Sequence, residues 1–274
     1  MLKYRLLTAF LMGPIILWGI YSLPDFWFSF AAVILFTIGA WEWAAFVGLI
    51  KTPKRTLFVL FNLALYLSVL YLENSSVNHA IIYFSVAWWL ISIPLLLTFP
   101  FKSNHFLRLN ITKGLIGVVL LLATLLSMVL IRTNPKFGPE FVLYIILMIW
   151  FADSGAYFAG RSLGKNKLIP KVSPGKTWEG VIGALVVTVT ASIIALDILN
   201  IPSSDAVFFV LITFVTVVYS IVGDLSESMF KRMSEIKDSG HILPGHGGIL
   251  DRIDSLMSAL PIFFIGLLLM ESWG

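Results

Sequence analysis

The stretch GLIGVVLLLATLLSMVLI, residues 114–131, contains no charged residue and no proline. A helix needs about 20 mostly apolar residues to cross the roughly 30 Å hydrocarbon core of a bilayer, and this run approaches that length. A helix that is apolar all round must be buried in a large protein or lie in a membrane. The stretch therefore predicts a transmembrane helix.

The rest of the chain has the same character. Its 274 residues are 58% hydrophobic and only 12% charged, whereas an ordinary soluble domain is about 45–50% apolar. Long apolar runs predict nine spans, at residues 6–21, 26–48, 56–72, 80–99, 114–131, 140–160, 178–199, 206–223 and 255–270. The sequence thus predicts an all-α polytopic membrane protein with two long cytoplasmic loops.

The chain predicts one integral membrane domain over residues 1–274, because short connections join the spans and no compositional shift marks a soluble domain. Helices of its N-terminal part fill residues 1–131, and polar residues concentrate in the loops of residues 140–274. Cysteine is absent, which excludes disulfides and any cysteine-based metal or nucleophile site. No small-residue cleavage site follows the first apolar run, so we expect it to remain as a helix.

The cations fall almost entirely on one side of these nine spans. Of 19 Lys and Arg residues, 17 lie at alternate connections, and only Arg132 and Lys136 lie on the other side. Cytoplasmic loops carry the excess of Lys and Arg in membrane proteins. The N-terminus and the two long loops are therefore predicted to be cytoplasmic, and the C-terminus is predicted to lie outside. The protein is expected to contact membrane lipids.

A carboxylate lies inside the sixth predicted span. Asp153 precedes Arg161 by eight residues, or about 12 Å at helical rise. Ionisable residues inside a membrane are costly and usually face a watery cavity or a partner. We expect Asp153 to line a polar cavity that binds substrate, and Glu42 of the second span to line the same cavity. The alternative is a structural role, in which Asp153 forms an anchoring ion pair with Arg161. The small residues around it predict close helix packing: Ser154, Gly155, Ala156, Ala159 and Gly160.

The segment KVSPGKTWEG, residues 171–180, precedes the seventh span. It is not a nucleotide-binding P-loop, because that motif needs a glycine five residues before Gly175, where this chain has Pro170. Ser173, Lys176 and Thr177 nevertheless offer two hydroxyls and an ammonium group directly before a helix N-terminus, which favours phosphate. An ordinary capped basic loop is the alternative.

The longest predicted connection, residues 223–254, includes the segment KDSGHILPGHGGILDRID at residues 237–254. Its apolar spacing at Phe230, Met233 and Ile236 predicts a short amphipathic helix. Asp251 and Asp254 are three residues apart, so they share one helix face. Because Mg²⁺ binds through one or two carboxylates plus phosphates and water, they predict a Mg²⁺ or Mn²⁺ site with Asp224 as helper. An ion-pair cluster around Arg252 is the alternative.

Residues 228–254 resemble the signature of the phosphatidate cytidylyltransferases. The matching positions are Ser228, Lys231, Arg232, Lys237, Asp238, Gly240, Leu243, Pro244, His246, Gly247, Gly248, Asp251, Arg252 and Asp254. The segments ADSGAYFAGRSLGKNKL and KVSPGKTWEG are similar to the same family. The resemblance implies that CTP and phosphatidate react to give CDP-diacylglycerol and pyrophosphate, with Mg²⁺, at the cytoplasmic face of a bacterial inner membrane. It also implies a possible homodimer, and no nucleic acid partner is expected.

This reaction brings two polyanions together, so its site needs cations. The predicted phosphate-binding residues are Lys176, Lys231, Arg232, Lys237 and Arg252. His246 is expected to contact a phosphoryl oxygen or to orient an aspartate. Asp238 either joins the catalytic group or pairs with a neighbouring cation, and Ser228, Gly247 and Gly248 are expected beside the substrates.

Three other functions fit parts of the pattern. An ion-coupled transporter would explain Asp153 and Glu42, but no inverted repeat is visible. A CDP-alcohol phosphotransferase would need an Asp-Gly pair, whereas Ser239 follows Asp238 and Arg252 follows Asp251. A CTP-dependent lipid-alcohol kinase remains open on the residues alone, since it differs only in which phosphorus atom is attacked.

Overall fold

The computed structural model describes residues 13–102, 105–240, 242 and 247–270. Nine α-helices lie in this described part, which confirms the all-α prediction. They are α1 (13–22), α2 (Asp25–Phe46), α3 (Thr52–Leu72), α4 (Ser75–Thr98), α5 (Asn110–Arg132), α6 (Gly138–Leu163), α7 (Trp178–Ile198), α8 (Ala206–Met233) and α9 (Leu250–Leu268). Seven of them, α2 to α8, are long and apolar enough to cross a membrane.

Helix α8 corrects two predictions. It continues for ten residues beyond 223 and ends at Met233, so the part of the chain that the structure describes has no separate amphipathic helix after the span. Phe230 is 1% exposed because its ring packs against Trp43 of α2, with 5.2 Å between the ring centroids. Glu227 and Lys231 lie on successive turns and form an ion pair of 2.6 Å, which allows the helix to continue through a charged stretch.

Both predicted long loops are shorter in the structure than the sequence predicted. Helix α6 ends at Leu163 and α7 begins at Trp178, while the second connection runs from residue 234 to 249. The first connection contains a hairpin that the sequence did not predict: β1 (Lys167–Ile169) pairs antiparallel with β2 (Ser173–Thr177), and Lys167 lies opposite Thr177. Strand β2 therefore leads directly into α7, with no phosphate-binding loop between them.

Helices α5 and α9 occupy the centre of the bundle. Helix α9 packs on α8 most extensively and also contacts α2, α4, α5 and α6. Its buried face includes Met257, Leu260 and Phe263, each at most 2% exposed. Leu250 and Ile253 at the start of α9 are 0% and 5% exposed, so one face of the turn beside Asp251 and Asp254 packs against the bundle.

Glycines bring α6 and α7 into close contact, as the small-residue pattern predicts. A Cβ atom on Gly155 of α6 would lie 2.8 Å from the carbonyl oxygen of Gly183 in α7, and one on Gly180 would lie 3.0 Å from the carbonyl oxygen of Ala156. Side chains at these positions would push the backbones apart. The glycines therefore fix the spacing between the helix that carries Asp153 and the helix that follows Lys176.

Candidate active site

The hairpin places Lys176 and Thr177 at the N-terminus of α7. Thr177 is the N-cap residue, and its hydroxyl accepts a hydrogen bond of 3.2 Å from the Gly180 amide. Glu179 in the first turn accepts hydrogen bonds from the backbone and side-chain nitrogens of Asn166, which ties the hairpin to the helix. Lys176 points the other way, and its Nζ lies 2.7 Å from Asp224 Oδ2 on α8.

A polar cavity of about 300 Å³ collects much of the predicted site. It is lined by Asp153, Asp224, Lys231, Asp238, Asp251, Arg252, Asp254 and Ser255. These residues come from α6, α8, α9 and the connection before α9, so only the folded bundle brings them together. Five carboxylates face two cations in this lining. An anionic substrate entering the cavity therefore needs additional positive charge.

Asp251 is firmly held within the protein. Its Oδ1 accepts a hydrogen bond of 2.8 Å from Lys231 Nζ, and its Oδ2 accepts one of 2.8 Å from the Gly248 amide. The Ser239 amide also donates to this carboxylate, at 3.2 Å. Charge-assisted bonds of this kind are the stronger hydrogen bonds in proteins. Asp251 thus joins α8, the connection before α9 and α9 itself.

Asp224 and Asp254 have different surroundings. Asp254 interacts electrostatically with Asp224 and with the buried Glu227, both on α8, and these like charges repel. The Ser228 hydroxyl lies 3.5 Å from Asp224 Oδ1. Lys176 is the direct ionic partner of Asp224, at 2.7 Å. The carboxylates of Asp224 and Asp254 therefore form an acidic pair at the polar cavity, on facing helices.

A divalent cation fits the chemistry of this pair. Within the described residues no three His, Cys, Asp or Glu side chains already form a metal site. Mg²⁺, however, typically uses only one or two protein carboxylates and takes its remaining ligands from substrate phosphates and water. The repulsion between Asp224 and Asp254 is the structural feature that a bound cation would relieve.

A second cavity, of about 510 Å³, lies between α6, α7, α8 and β2 and shares Asp153 with the polar cavity. Its polar lining residues are Asp153, Tyr157, Arg161, Lys176 and Thr177. The remaining lining is small or apolar, including Ala152, Val181 and Ile221. Arg161 donates a hydrogen bond to the Tyr157 hydroxyl rather than pairing with Asp153. This cavity, termed the amphipathic cavity below, can accept a charged group attached to a hydrocarbon.

Other predicted residues lie outside the two linings. Arg232 Nε donates to the Val172 carbonyl oxygen, at 3.4 Å, and so joins α8 to the hairpin. Lys237 is exposed. Gly247 has a positive φ of 82°, a conformation that favours glycine. Ser173, Ser228, Arg232, Lys237, Gly247 and Gly248 are not among the lining residues. His246, like Leu243 and Pro244, lies outside the described residues.

Sequence reasoning missed two participants and misplaced a third. Glu227 is 3% exposed and pairs with Lys231; the four-residue spacing was the available signal. Ser239 is buried between two carboxylates, and no local pattern marks it. Glu42 was expected to line the cavity, but it is fully buried and bonds to backbone amides before and within α9.

Comparison with known proteins agrees with this geometry. The model of the cytidylyltransferase family matches residues 3–270. The chain is 35% identical to the phosphatidate cytidylyltransferase of Haemophilus influenzae, over 96% of this chain and 97% of that protein. It is 38% identical to the protein of the same name from Pseudomonas aeruginosa, over 100% and 99% of the two chains. A Bacillus subtilis protein with that name is 38% identical over 64% and 65%.

The family model and the first two relatives span nearly the whole chain, including the helices that carry Asp153, Asp224 and Asp254. The apolar bundle, the acidic polar cavity and the full-length similarity lead to one assignment. The chain belongs to the cytidylyltransferase family.

Proposed function

We propose that this chain is a phosphatidate cytidylyltransferase, an enzyme of phospholipid biosynthesis that converts CTP and phosphatidate into CDP-diacylglycerol and pyrophosphate. Family membership supports the reaction class. The structural observation that carries the proposal is the meeting of a polar cavity and an amphipathic cavity at Asp153. A water-soluble nucleotide and a lipid can approach each other at such a junction.

In this reaction a phosphate oxygen of phosphatidate attacks the α-phosphorus of CTP, and the bond from that phosphorus to pyrophosphate breaks. The second pKa of a phosphomonoester is near 6, so the attacking phosphate is already mostly dianionic near neutral pH. A strong general base is therefore unnecessary. The protein must mainly position the two substrates and offset their charge.

The electrostatic repulsion between the two substrates is large enough to identify the cationic residues as the important ones for binding them. Two unit charges of the same sign 5 Å apart repel by roughly 3 kcal/mol at an effective dielectric of 20. Lys231 and Arg252 line the polar cavity, and Lys176 lines the amphipathic cavity while contacting Asp224 at 2.7 Å. We assign the nucleotide phosphates to Lys231 and Arg252, and the reacting phosphates to Lys176.

Asp224 and Asp254 are the proposed ligands of Mg²⁺ or Mn²⁺. When bound, such an ion would offset phosphate charge during the departure of pyrophosphate. The sequence predicted Asp251 as a principal ligand together with Asp254, with Asp224 as helper, and that role of Asp251 remains a prediction. Its oxygens already accept bonds from Lys231, Gly248 and Ser239, which supports a role in orienting α9.

The amphipathic cavity is the proposed site of the lipid phosphate. Arg161 and Lys176 provide cationic groups, while Val181 and Ile221 provide apolar surface. On the outside of the same helices, Phe158 and Ile182 are 70% and 60% exposed, as expected for residues that contact lipid. Apolar surface for the acyl chains of a two-chain substrate therefore lies on the same helices as this cavity.

The proposed location is a bacterial inner membrane, with the N-terminus and the cavities on the cytoplasmic side and the C-terminus outside. The distribution of cations over the predicted spans supports this orientation. A homodimer remains a prediction from the family resemblance, as does the absence of a nucleic acid partner.

The test uses the purified full-length protein, CTP labelled at the α-phosphate, phosphatidate and Mg²⁺. We expect label to enter the lipid fraction and pyrophosphate to be released in equal amount. A lipid-alcohol kinase would instead transfer the γ-phosphate and leave the α-label in the nucleotide. Absence of both lipid labelling and CTP-dependent pyrophosphate release would contradict the proposal. Transfer of label from γ-labelled CTP to lipid would then indicate the kinase, and absence of that transfer as well would leave a transporter as the rival.

Two isosteric variants test the metal assignment. Asp224→Asn and Asp254→Asn should each lower kcat by about 10²-fold or more and raise the Mg²⁺ concentration needed for half-maximal rate. The matched control is Asp197→Asn, because Asp197 is an exposed aspartate near the other end of α7. Normal turnover and normal Mg²⁺ dependence in either cavity variant would remove that residue from the metal site.

A further inference from the structure

Glu42 is a fully buried carboxylate on α2, in the half of the chain away from the signature residues. Its Oε1 accepts a hydrogen bond of 3.1 Å from the Ile249 amide. Its Oε2 accepts one of 2.7 Å from the Leu250 amide and one of 3.3 Å from the Ser239 hydroxyl. Both oxygens of this side chain are thus committed to the segment that begins α9.

These hydrogen bonds lie at the N-terminus of α9, whose own N-cap residue does not cap the helix with its side chain. Ile249 is the N-cap residue of α9 and makes no side-chain capping bond. The first amides of a helix have no intrahelical partner, and its N-terminus favours negative charge. Glu42 supplies both the acceptors and the charge from a distant position in the sequence.

Two glycines allow this approach. A Cβ atom on Gly248 would lie 2.5 Å from Glu42 Oε2, and one on Gly240 would lie closer still to Oε1. Cβ atoms do not occupy such distances, so any side chain at either position would displace the carboxylate. The spacing of the glycines around the connection before α9 is therefore explained by the buried Glu42.

The end of α2 that carries Glu42 is itself well anchored. Trp43 Nε1 donates to the Lys113 carbonyl oxygen at the start of α5, at 2.9 Å. The Ser234 hydroxyl donates to the Phe46 carbonyl oxygen, at 3.1 Å, and joins α2 to the end of α8. The end of α2 that carries Glu42 is thus held in place by hydrogen bonds to α5 and to the end of α8.

Glu42 and Asp251 hold the same segment from opposite sides. The Ser239 hydroxyl donates to Glu42, whereas its amide donates to Asp251. Asp251 in turn accepts from Lys231, a cation of the polar cavity. A shift of the segment would therefore move Asp251, Lys231 and the first turn of α9, and with that turn the next residue, Asp254.

We propose that Glu42 is a positioning residue for the reaction: it fixes the N-terminus of α9 and thereby the nucleotide side of the active site. The proposal rests on the proposed function, since it assigns the polar cavity to CTP. The amphipathic cavity is built from α6, α7, α8 and β2, with no residue from α2 or α9. Loss of Glu42 should consequently affect CTP more than phosphatidate.

The main test is Glu42→Gln in the full-length enzyme. An amide keeps the size of the side chain but places a donor opposite a backbone N–H, so at least one bond is lost. We expect kcat/KM for CTP to fall about tenfold or more, while KM for phosphatidate changes by less than about twofold. Glu42→Asp keeps the charge but is one methylene shorter, and it should retain more activity than Glu42→Gln. Glu73→Gln, at an exposed carboxylate that ends α3, is the matched control.

Hydrogen exchange gives a second readout that does not depend on activity. Amides in residues 247–253 should exchange faster in Glu42→Gln than in the wild type, while the rest of α9 keeps its protection. If wild-type enzyme lacks CTP-dependent activity, the proposed function fails, but the exchange result still tests the contact. Unchanged exchange, or equal effects on CTP and phosphatidate, would overturn the positioning role.

A substitution on the other side of the contact covers the case in which Glu42→Gln does not fold. Gly248→Ala should disturb the same contact and give the same selective loss for CTP. The new methyl would meet the Ser239 hydroxyl, which can rotate away, and the Glu42 carboxylate. Combined with Glu42→Asp, whose shorter side chain withdraws the carboxylate, Gly248→Ala should add much less than its effect alone. Fully additive effects of the two substitutions would overturn the proposal.

Discussion

Gly223→Ala is the substitution that most directly tests how α8 and α9 set the distance between Asp224 and Asp254. Gly223 precedes Asp224 and packs against α9. A Cβ atom at this position would lie 2.6 Å from the carbonyl oxygen of Asp254 and closer still to the hydroxyl of Ser258. The hydroxyl can rotate away, but the Asp254 carbonyl belongs to the backbone of α9.

The size of the effect follows from these distances. An ordinary carbon–oxygen contact is about 3.4 Å or longer, so α9 must move by roughly 0.5–1 Å. A misplacement of about 1 Å at an active site costs roughly 10²-fold in rate, and overpacking costs about 1–3 kcal/mol of stability. We expect kcat to fall between about tenfold and 10²-fold, with a lower unfolding temperature.

The assay is CTP-dependent release of pyrophosphate by detergent-purified protein, together with a thermal unfolding curve. Adding Ser258→Ala should restore only part of the rate, since the Asp254 carbonyl still blocks the methyl group. Gly19→Ala serves as the control, because its Cβ would lie at an ordinary 3.8 Å from Leu23. Activity and stability of Gly223→Ala within about twofold and a degree or so of wild type would refute the close contact.

Two further substitutions test the packing that supports the site. Arg132→Met should lower thermal stability strongly while leaving KM values unchanged. The reason is that the buried guanidinium donates hydrogen bonds to the Ile20 and Leu23 carbonyl oxygens and to Asp25. An unchanged melting temperature would contradict this prediction. Gly183→Val should lower both activity and stability, since its Cβ would lie 2.7 Å from the Gly155 carbonyl oxygen. Measured turnover close to wild type would show that α6 and α7 can separate without loss of activity.

Much of the fold could be predicted from composition and run length. Each of the nine predicted spans agrees with a helix of the described residues to within a few residues at one end at least. This agreement arises because a bilayer requires both apolar side chains and internally satisfied backbone groups. The error at α8 has a physical cause. Charges at Asp224, Glu227 and Lys231 were taken as the end of the span, whereas ion pairs within the protein allow the helix to continue to Met233.

The chemical types at the site were also visible in the sequence. Asp153 was selected because a carboxylate inside a span is costly, and Asp251, Asp254 and Asp224 were selected as a predicted metal site. All four line the polar cavity. Lys176 was selected by its place before a helix, and it pairs with Asp224. Local spacing could not assign their partners, since those partners come from other helices.

The amino-acid sequence by itself determined that this is an all-α membrane protein and which acidic and basic groups its chemistry can use, because run length and charge are local properties. Only the tertiary structure decided how those groups divide: Asp251 bonds to Lys231 and two amides, while Asp224 faces Lys176 and Asp254. It also placed Glu42 beneath the start of α9, a contact between residues more than 200 positions apart. Such a contact depends on how the helices pack, which no local pattern encodes.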